Sequence, residues 1–517
     1  MRTLWLCMLA CLLTSLNQSC VFRQVQRELV AVDSARSLNP ERKYLKAHMK
    51  NGELYVLHQW AVTESEPLEV RGLGKYYDAN RRLLEERLND PFVLPLEAVA
   101  LFETNQTGAL HGEVAAMAII TGASAVLTAL CLINPKVCFG SCPTYYAFDG
   151  DTMRLQAEGF SSSISPSMEA VDVDMLYHAQ QTGPEFRLGL TNEALETHVI
   201  RYSDLLVFPR KPGERVFAGA GGRWYAVGGL QGPRSCRAPE GDCAAALAAF
   251  DAQERFSLAD SQDLAAKEVL ELDFGPAPEQ PALVIAARQS LMTTYLFYSS
   301  LAYMGRTMGY WSGRLEAGDE GLYRAFRRMY DLLGGIEIQV PDAKGRWQTV
   351  ETLQEAGPIA TDAHVIPLPP HYRGKVRLRM TRGLWRLNYL AAGSLAGARE
   401  PVRLMPSRVE SADAALAAAA MEAFTCREHP LVTLPGAACT LVYTLPDADT
   451  QWEFFLESKG YYLEWMRNEW LADESPYRLA LLYKRPRTLL RKLAPPFKAA
   501  EPDMESTFWN SRYVVPN

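Results

Sequence analysis

The chain reads HVIRYSDLLVF at residues 198–208, and this stretch decides the fold that the sequence predicts. Residues 198–202, like FRLGL at 186–190, alternate in the manner of a strand. Residues 205–208 form a continuous apolar run, which is typical of a fully buried strand. Asp149-Gly150 marks a hairpin turn in the same region. We therefore expect a β-sandwich-like domain over residues 135–285.

A smaller β domain is predicted on the N-terminal side of this stretch. Residues 44–49 and 54–57 flank Asn51-Gly52, a strong signal for a tight hairpin turn. Two further short strands fit residues 68–72 and 98–102. Several short strands within such a short segment predict a small barrel of the SH3 or Sm-like kind over residues 40–106.

On the C-terminal side, the pattern changes to helix and back again. Residues 286–335 carry apolar and aromatic side chains at helical spacing, which predicts a helical insertion. A second β-rich region is expected at 336–445, and a helical C-terminal region at 446–517. The fold class predicted for the 517 residues is mainly β with α insertions, in several domains.

An apolar helix is predicted at residues 107–134, between the two β domains. Val114–Ile133 is a run of twenty residues without a charge, long enough to span a bilayer. Its many small residues suit a helix that packs closely against other elements instead. A single crossing would separate flanks that export places in one compartment, so the buried or membrane-apposed helix is favoured.

The N-terminus has the composition of a secretory signal. Met1 and Arg2 precede an almost wholly apolar run at residues 4–16. That run is too short to cross a bilayer, but it fits the apolar region of a signal peptide. We therefore predict a signal peptide at residues 1–19.

Cys20 is the predicted site of lipidation. Ser19 is a small residue directly before the cysteine, as lipoprotein signal peptidase requires, and acyl chains on Cys20 would form the membrane anchor. Asn17 stands where such signals usually carry leucine, so an ordinary cleaved signal peptide is the alternative. Val21 follows the cysteine, which by resemblance to enterobacterial sorting rules favours the outer membrane. Residues 20–39 are expected to be a linker.

The other cysteines support export. Six of them form three close pairs in segments rich in turn residues, and we predict disulfides there. The paired residues are Cys138 with Cys142, Cys236 with Cys243, and Cys426 with Cys439. No pair has the spacing of a metal site or of a Cys-x-x-Cys redox motif. Cys131 is expected to be a buried thiol.

The charge pattern gives no sign of nucleic-acid binding. The net charge is −7, and no basic stripe of the kind that displaces counterions from nucleic acid is visible. No cofactor motif is found, so no cofactor and no metal are predicted. The expected partner is a membrane, through the N-terminal lipid. A protein or glycan partner is not specified by the sequence.

The sequence contains only weak candidates for catalytic residues. There is no Gly-x-Ser-x-Gly elbow, no His-Glu-x-x-His motif and no phosphate-binding loop. Glu196 and His198 lie two residues apart, so on a strand they share one face. Asp149 and Asp151 offer a small part of a Ca²⁺ site, but a solvated hairpin tip is the favoured interpretation.

Four carboxylates near the predicted sandwich are the remaining catalytic candidates. Glu158, Glu169, Asp172 and Asp174 contain pairs of the kind that glycosidases use. Large exported β proteins commonly carry such pairs, so no catalytic residue is assigned.

Several motifs resemble uncharacterised lipoproteins of Bacteroidetes-like bacteria. The chain reads CFGSCPTYY at 138–146, which matches the CFGSCPTxY motif of that group, and AEGFSSSI at 157–164. TNEA at 191–194 and GYYLEWM at 460–466 look similar to the same proteins. The resemblance covers most of the mature chain and implies an envelope lipoprotein, but it supplies no activity.

Two functions are therefore expected from the sequence. The first is an exported envelope lipoprotein that acts as a structural or binding module at the outer membrane. The second is an exported hydrolase of glycans or peptides, which predicts a cleft where two acidic groups converge and where burial raises one pKa.

Overall fold

The structure is a computed structural model that divides into two compact units. One is drawn from residues 1–49 and 53–123, and the other from residues 50–52 and 124–517. The described residues are 23–42, 44–49, 53–63, 68–77, 83–109, 142–354, 357–465, 470–471 and 473–509. The predicted signal peptide, Cys20 and the apolar segment 114–133 lie outside them. No helix of the described residues is long and apolar enough to cross a membrane.

The described strands of the first unit form one antiparallel sheet. Its strands are β1 (Arg23–Ala31), β2 (Leu45–Met49), β3 (Leu54–Val62), β4 (Glu69–Tyr77), β5 (Leu83–Pro95) and β6 (Val99–Ala109). They lie in the order β1-β6-β2-β3-β4-β5. Leu45, Leu57, Val70 and Phe102 are among the buried side chains of its core. The predicted strands at 44–49, 54–57, 68–72 and 98–102 all fall within this sheet.

The predicted linker at residues 20–39 is wrong from Arg23 onward. β1 pairs with β6 along its whole length, from Arg23 opposite Ala109 to Ala31 opposite Leu101. A short 3₁₀ helix, Val32–Ser37, follows it. The sequence RQVQRELVA has few apolar residues, so its pattern does not indicate a strand, whereas the ladder with β6 satisfies its backbone groups.

The second unit contains most of the strands and all the α-helices of the described residues. Before the helical insertion the strands are β7 (Thr144–Phe148), β8 (Met153–Glu158), β9 (Ala170–Met175), β10 (Glu185–Thr191), β11 (Glu196–Pro209), β12 (Glu214–Gly219), β13 (Arg223–Gln231), β14 (Ser235–Ala238), β15 (Gly241–Asp242), β16 (Arg255–Phe256), β17 (Lys267–Asp273) and β18 (Pro281–Gln289). The insertion consists of α1 (Met292–Met304), α2 (Met308–Glu316) and α3 (Glu320–Leu333). It lies within the predicted range of 286–335.

Strands resume after the insertion, and helices close the chain. The strands are β19 (Ile336–Pro341), β20 (Trp347–Leu353), β21 (Asp362–Pro367), β22 (Lys375–Thr381), β23 (Trp385–Arg399), β24 (Val402–Leu404), β25 (Arg408–Glu410), β26 (Leu431–Thr433), β27 (Ala438–Thr444) and β28 (Trp452–Glu464). The helices are α4 (Ala414–Cys426), α5 (Pro476–Lys484), α6 (Pro486–Ala500) and α7 (Met504–Trp509).

The described residues of the second unit form four sheets. Sheet I has the order β25-β27-β10-β7-β8, and sheet II has the order β24-β11-β28-β9 with β26 also beside β11. Sheet III has the order β13-β12-β21-β18-β23-β16, with β13 also paired to β23, and sheet IV has the order β15-β14-β17-β22-β19-β20. All these pairings are antiparallel except that of β12 with β21.

Sheet II lies between two hydrophobic cores. Leu205 and Val207 of β11 belong to the core shared with sheet I. Leu206 and Phe208 belong to the core shared with sheet III. Because successive side chains of a strand point to opposite faces, a strand between two cores has apolar residues at every position. This explains the continuous apolar run that the sequence shows at 205–208.

The prediction of a mainly β, multi-domain fold with a helical insertion and a helical C-terminus is confirmed. The predicted β regions are not consecutive, however, because β10 pairs with β27 some 250 residues later. The start of the predicted helical region 446–517 is also wrong, since residues 452–464 form the long strand β28. β28 is apolar on both faces for the same reason as β11, and such runs resemble buried helices.

Candidate functional site

A polar cleft of about 490 Å³ opens at one end of sheet II. We call it the Arg210 cleft. It is lined by Asp149, residues 177–181, Arg210, Arg215, residues 448–452 and Phe454.

The order of the strands in sheet II brings the loops that carry these residues together. β11, β28 and β9 are antiparallel neighbours, so the end of β11, the start of β28 and the end of β9 lie side by side. Pro209 is opposite Trp452, and Met175 is opposite Phe455. The loops that follow β9 and β11 and the loop that precedes β28 therefore meet at one edge.

Arg215 forms the rigid floor of the cleft. Its guanidinium donates two hydrogen bonds to the Glu453 carboxylate, at 2.6 and 2.7 Å, and a third to the Tyr177 carbonyl at 3.0 Å. It also lies 3.9 Å above the centre of the Tyr177 ring. Glu453 is buried, so each charge is held by the other, and the pair fixes both side chains.

Three aromatic side chains pack together beside Arg215. The Tyr177 ring packs on Phe250 at 4.3 Å between centroids, and His178 meets Phe250 edge-on at 4.7 Å. Burial lowers the pKa of His178, and the nearby cations Arg215 and Arg154 lower it further. Its imidazole is therefore neutral at neutral pH.

Arg210 brings a second guanidinium to the cleft. Its backbone N–H donates to the Gln451 carbonyl at 2.9 Å, and its side chain donates to the Gln451 amide oxygen at 3.4 Å. Across the described parts of the chain, no carboxylate lies within ion-pair distance of Arg210. Of the two arginines that line the cleft, Arg210 therefore has more guanidinium N–H groups without a hydrogen-bond acceptor.

The predicted Ca²⁺ candidate on the β7–β8 turn is already engaged. Asp149 accepts the N–H groups of Thr152 and Asp151, and Arg154 lies 2.6 Å from its carboxylate. The two N–H groups and Arg154 lower the pKa of Asp149. No group of three or more His, Cys, Asp and Glu side chains within the described ranges is arranged to hold a metal ion.

The four candidate carboxylates are not part of the cleft lining. Glu169 is half-buried and pairs with Arg201 at 2.7 Å. Asp172 lies on β9 and is half-buried. Glu158 and Asp174 are buried, and the Glu158 carboxylate accepts the Ile359 N–H at 2.9 Å.

Burial changes the protonation of the two innermost carboxyls. It raises the pKa of Glu158 to about 8, although N–H groups of the 359–360 segment act in the opposite direction. Burial and the neighbouring charges of Asp172 and Asp362 raise the pKa of Asp174 well above its usual range. At neutral pH both groups are therefore largely protonated.

Glu196 and His198 do share a face of β11, as the sequence predicts for a strand. Their side chains lie 3.0 Å apart, and both are fully buried. The ring of Tyr462 packs edge-on against His198 at 6.4 Å. This pair is thus part of the interior of sheet II and does not face the cleft.

Of the predicted disulfides, Cys236–Cys243 is present and closes the β14–β15 hairpin. The predicted Cys426–Cys439 bond is wrong: Cys426 is exposed at the end of α4, and Cys439 points into the core between sheets I and II. Burial raises the pKa of Cys439 to about 12. Cys142 is buried in the same core, but Cys138 and Cys20 lie outside the described residues, so the first pair and the lipid site stay predictions.

The main residues of the cleft were not predicted from the sequence. Arg210 follows a recognisable buried strand, and polar residues just beyond such strands often form sites. That signal identifies neither Tyr177 nor Gln451, because the proximity of their loops depends on the pairing of β9, β28 and β11.

Comparisons with known proteins add little to this description. No family model and no curated protein matches the chain. One solved structure, the secreted serine protease VesC from Vibrio cholerae, shows 8% identity over 74% of this chain and 98% of that chain, with a TM-score of 0.14. A likeness at that level carries no argument about fold or activity.

Proposed function

We propose that this chain is an exported lipoprotein of the bacterial outer membrane, anchored through Cys20, whose second unit binds a polar ligand in the Arg210 cleft. The observation that carries the binding role is the cleft itself. Loops from three neighbouring strands converge around about 490 Å³ and present amides, hydroxyls and guanidinium groups. A cavity of this size suits a small polar molecule or one end of a longer chain.

Export is supported by the cysteines. The Cys236–Cys243 disulfide belongs in an oxidising compartment, since cytosolic thiols are kept reduced. The signal-like N-terminus and the CFGSCPTxY motif support the same address.

Binding without catalysis is supported by the state of the acidic groups. Asp449 lines the cleft only as an exposed carboxylate. Asp149, which also lines the cleft, and Glu453, which lies beneath it on Arg215, are each held by an arginine. A general acid or base must be able to reach the proton that it transfers, and these two groups are already engaged.

Hydrolysis of a glycan or peptide is the second candidate function. The observation in its favour is Glu158, whose pKa of about 8 would suit a general acid. Its side chain is only 2% exposed, however, so a substrate would need an opening of the surrounding structure to reach it.

One incubation separates the two functions. The purified chain is mixed with defined oligosaccharides and peptides, and both bound and free material are weighed by mass spectrometry. Binding predicts that a ligand is recovered intact. New products that disappear in Glu158→Gln would favour the hydrolase, and the absence of any bound ligand would contradict the binding role.

The anchor needs its own test. Mass spectrometry of the mature N-terminus from membranes should find an acylated Cys20 as the first residue. An unmodified N-terminus at another position would contradict the lipoprotein assignment.

A further inference from the structure

The charged groups of the Arg210 cleft are paired unevenly. The Glu453 carboxylate is fully used by Arg215, which binds both of its oxygens. Asp149 is used by Arg154 and by the N–H groups of its own turn. Within the part of the chain that the structure describes, Arg210 has no such carboxylate. Asp449 also lines the cleft as an exposed carboxylate, and the Arg210 side chain is likewise open to solvent, so water and salt screen both charges.

Arg210 is positioned but not saturated. Gln451 accepts hydrogen bonds from the backbone N–H and from one side-chain N–H of Arg210. A guanidinium has five N–H donors in a fixed plane, so a pair of them remains to bind a planar acceptor with two oxygens. Carboxylates match this geometry with two parallel hydrogen bonds.

The surroundings of Arg210 suit a ring that carries hydroxyl groups. The aromatic side chains of Tyr177 and Trp452 line the cleft together with Gln180 and Thr450. Burial raises the pKa of Tyr177 although Arg215 and Arg210 act against it, so its phenol stays a donor at neutral pH. Both faces of the Tyr177 ring are covered, by Arg215 and by Phe250, so the aromatic surface left for a ligand is that of Trp452. An apolar ring face beside amides and hydroxyls matches the alternating apolar and polar faces of a sugar ring.

We infer that the Arg210 cleft binds an acidic saccharide, with the sugar carboxylate on the Arg210 guanidinium and the ring beside Trp452. The inference rests on the proposed binding function and specifies its ligand class. His178 is neutral, and Asp149 and Glu453 are each bound by an arginine. Asp449 is the lining carboxylate without an arginine partner among the described residues, and it is exposed to water.

The test is calorimetric titration of the purified full chain with digalacturonic acid, neutral digalactose and inorganic phosphate. The acid dimer should bind at least about tenfold more tightly than the neutral dimer, because one charge-assisted bidentate contact contributes on the order of that factor. Its affinity should fall as salt is added. Phosphate that binds as tightly as the acid dimer would overturn the saccharide assignment.

Three variants test whether the carboxylate of the ligand binds Arg210. Arg210→Gln should lose about tenfold or more in affinity for the acid dimer and leave the affinity for the neutral dimer unchanged. Arg210→Lys keeps the charge but not the planar guanidinium, so its affinity for the acid dimer should lie between those of the native chain and Arg210→Gln. Arg223→Gln is the matched control, because Arg223 is an exposed arginine on the β12–β13 turn outside the cleft lining.

The outcomes distinguish this inference from the function on which it rests. Equal binding of the acid and neutral dimers, unchanged in Arg210→Gln, would overturn the carboxylate assignment and leave the binding role intact. Failure to bind these probes or any saccharide or peptide of a wider panel would contradict both.

Discussion

Phe454 and Phe455 are adjacent on β28, yet they lie in two different hydrophobic cores. Phe454 packs with sheet I, where its ring stacks on Phe186 at 4.3 Å between centroids. Phe455 packs with sheet III and meets Phe208 edge-on at 5.4 Å. Sheet II is thereby held on both faces, which gives the loops of the Arg210 cleft a rigid base.

The two phenylalanines should be of similar importance for stability. Phe454→Ala and Phe455→Ala should each lower the free energy of unfolding by about 3–5 kcal/mol, since each removes a buried ring from a packed core. Urea unfolding followed by tryptophan fluorescence measures this. Tyr477→Ala, at a side chain 61% exposed, is the control and should change stability by less than about 0.5 kcal/mol. A similarly small effect at either phenylalanine would contradict the two-core arrangement.

The Arg215–Glu453 pair should couple stability to ligand binding. Glu453→Gln leaves the guanidinium of Arg215 without its buried partner, and we expect a loss of about 2–4 kcal/mol in unfolding free energy. Ligand affinity should fall in the same variant, because Arg215 also holds the Tyr177 carbonyl. Arg408→Gln, which breaks exposed pairs with Glu185 and Glu410, should cost much less. Equal losses in the two variants would show that burial of Glu453 has no special role.

Stability of the second unit should decrease as the pH rises. The pKa of Glu158 is 4.5 in an ordinary setting and about 8 in the fold. Between these values the unfolded chain binds fewer protons than the folded chain, so the unfolding free energy falls with pH. Below about 4.5 both states are protonated at this site, and above about 8 both are ionised, so its effect levels off at each end. Each unit between the two pKa values corresponds to about 1.4 kcal/mol.

Glu158→Gln is the variant that tests this pH dependence. The amide keeps an oxygen to accept the Ile359 N–H but does not ionise. The urea midpoint of the native chain should therefore fall between pH 5 and pH 8 more steeply than that of the variant. Parallel pH profiles for the two proteins would show that Glu158 is not buried as a neutral acid.

The unbonded cysteines should differ in reactivity. Iodoacetamide should modify Cys426 in the folded protein, because its side chain is exposed. Cys439 should react only after unfolding, since burial keeps it protonated and inaccessible. Peptide mapping by mass spectrometry gives both results. A disulfide-linked peptide that contains the two cysteines would contradict the structure.

Much of the strand content could be predicted from the sequence, but the strand partners could not. The run at residues 205–208 indicates a buried strand because its side chains alternate between two cores. The same property makes residues 454–456 resemble a buried helix, and nothing local distinguishes the two. β10 and β27 are separated by about 250 residues, so their pairing follows from packing of the whole unit.

The candidate site shows the same division. The sequence indicates Glu158 and Asp174 as candidate catalytic carboxylates, but both side chains are buried in the fold. Tyr177, Arg210 and Gln451 are ordinary polar or aromatic residues in three separate segments. They form one cleft only because β9, β11 and β28 are neighbours in sheet II.

Hydrogen–deuterium exchange with and without bound digalacturonic acid tests the central claim most directly. Our account predicts that the ligand slows exchange in residues 177–181 and 449–452, whose loops line the Arg210 cleft, and leaves the β14–β15 hairpin unchanged. Protection confined to other segments, or none under conditions where the ligand is bound, would contradict the assignment of this cleft as the binding site.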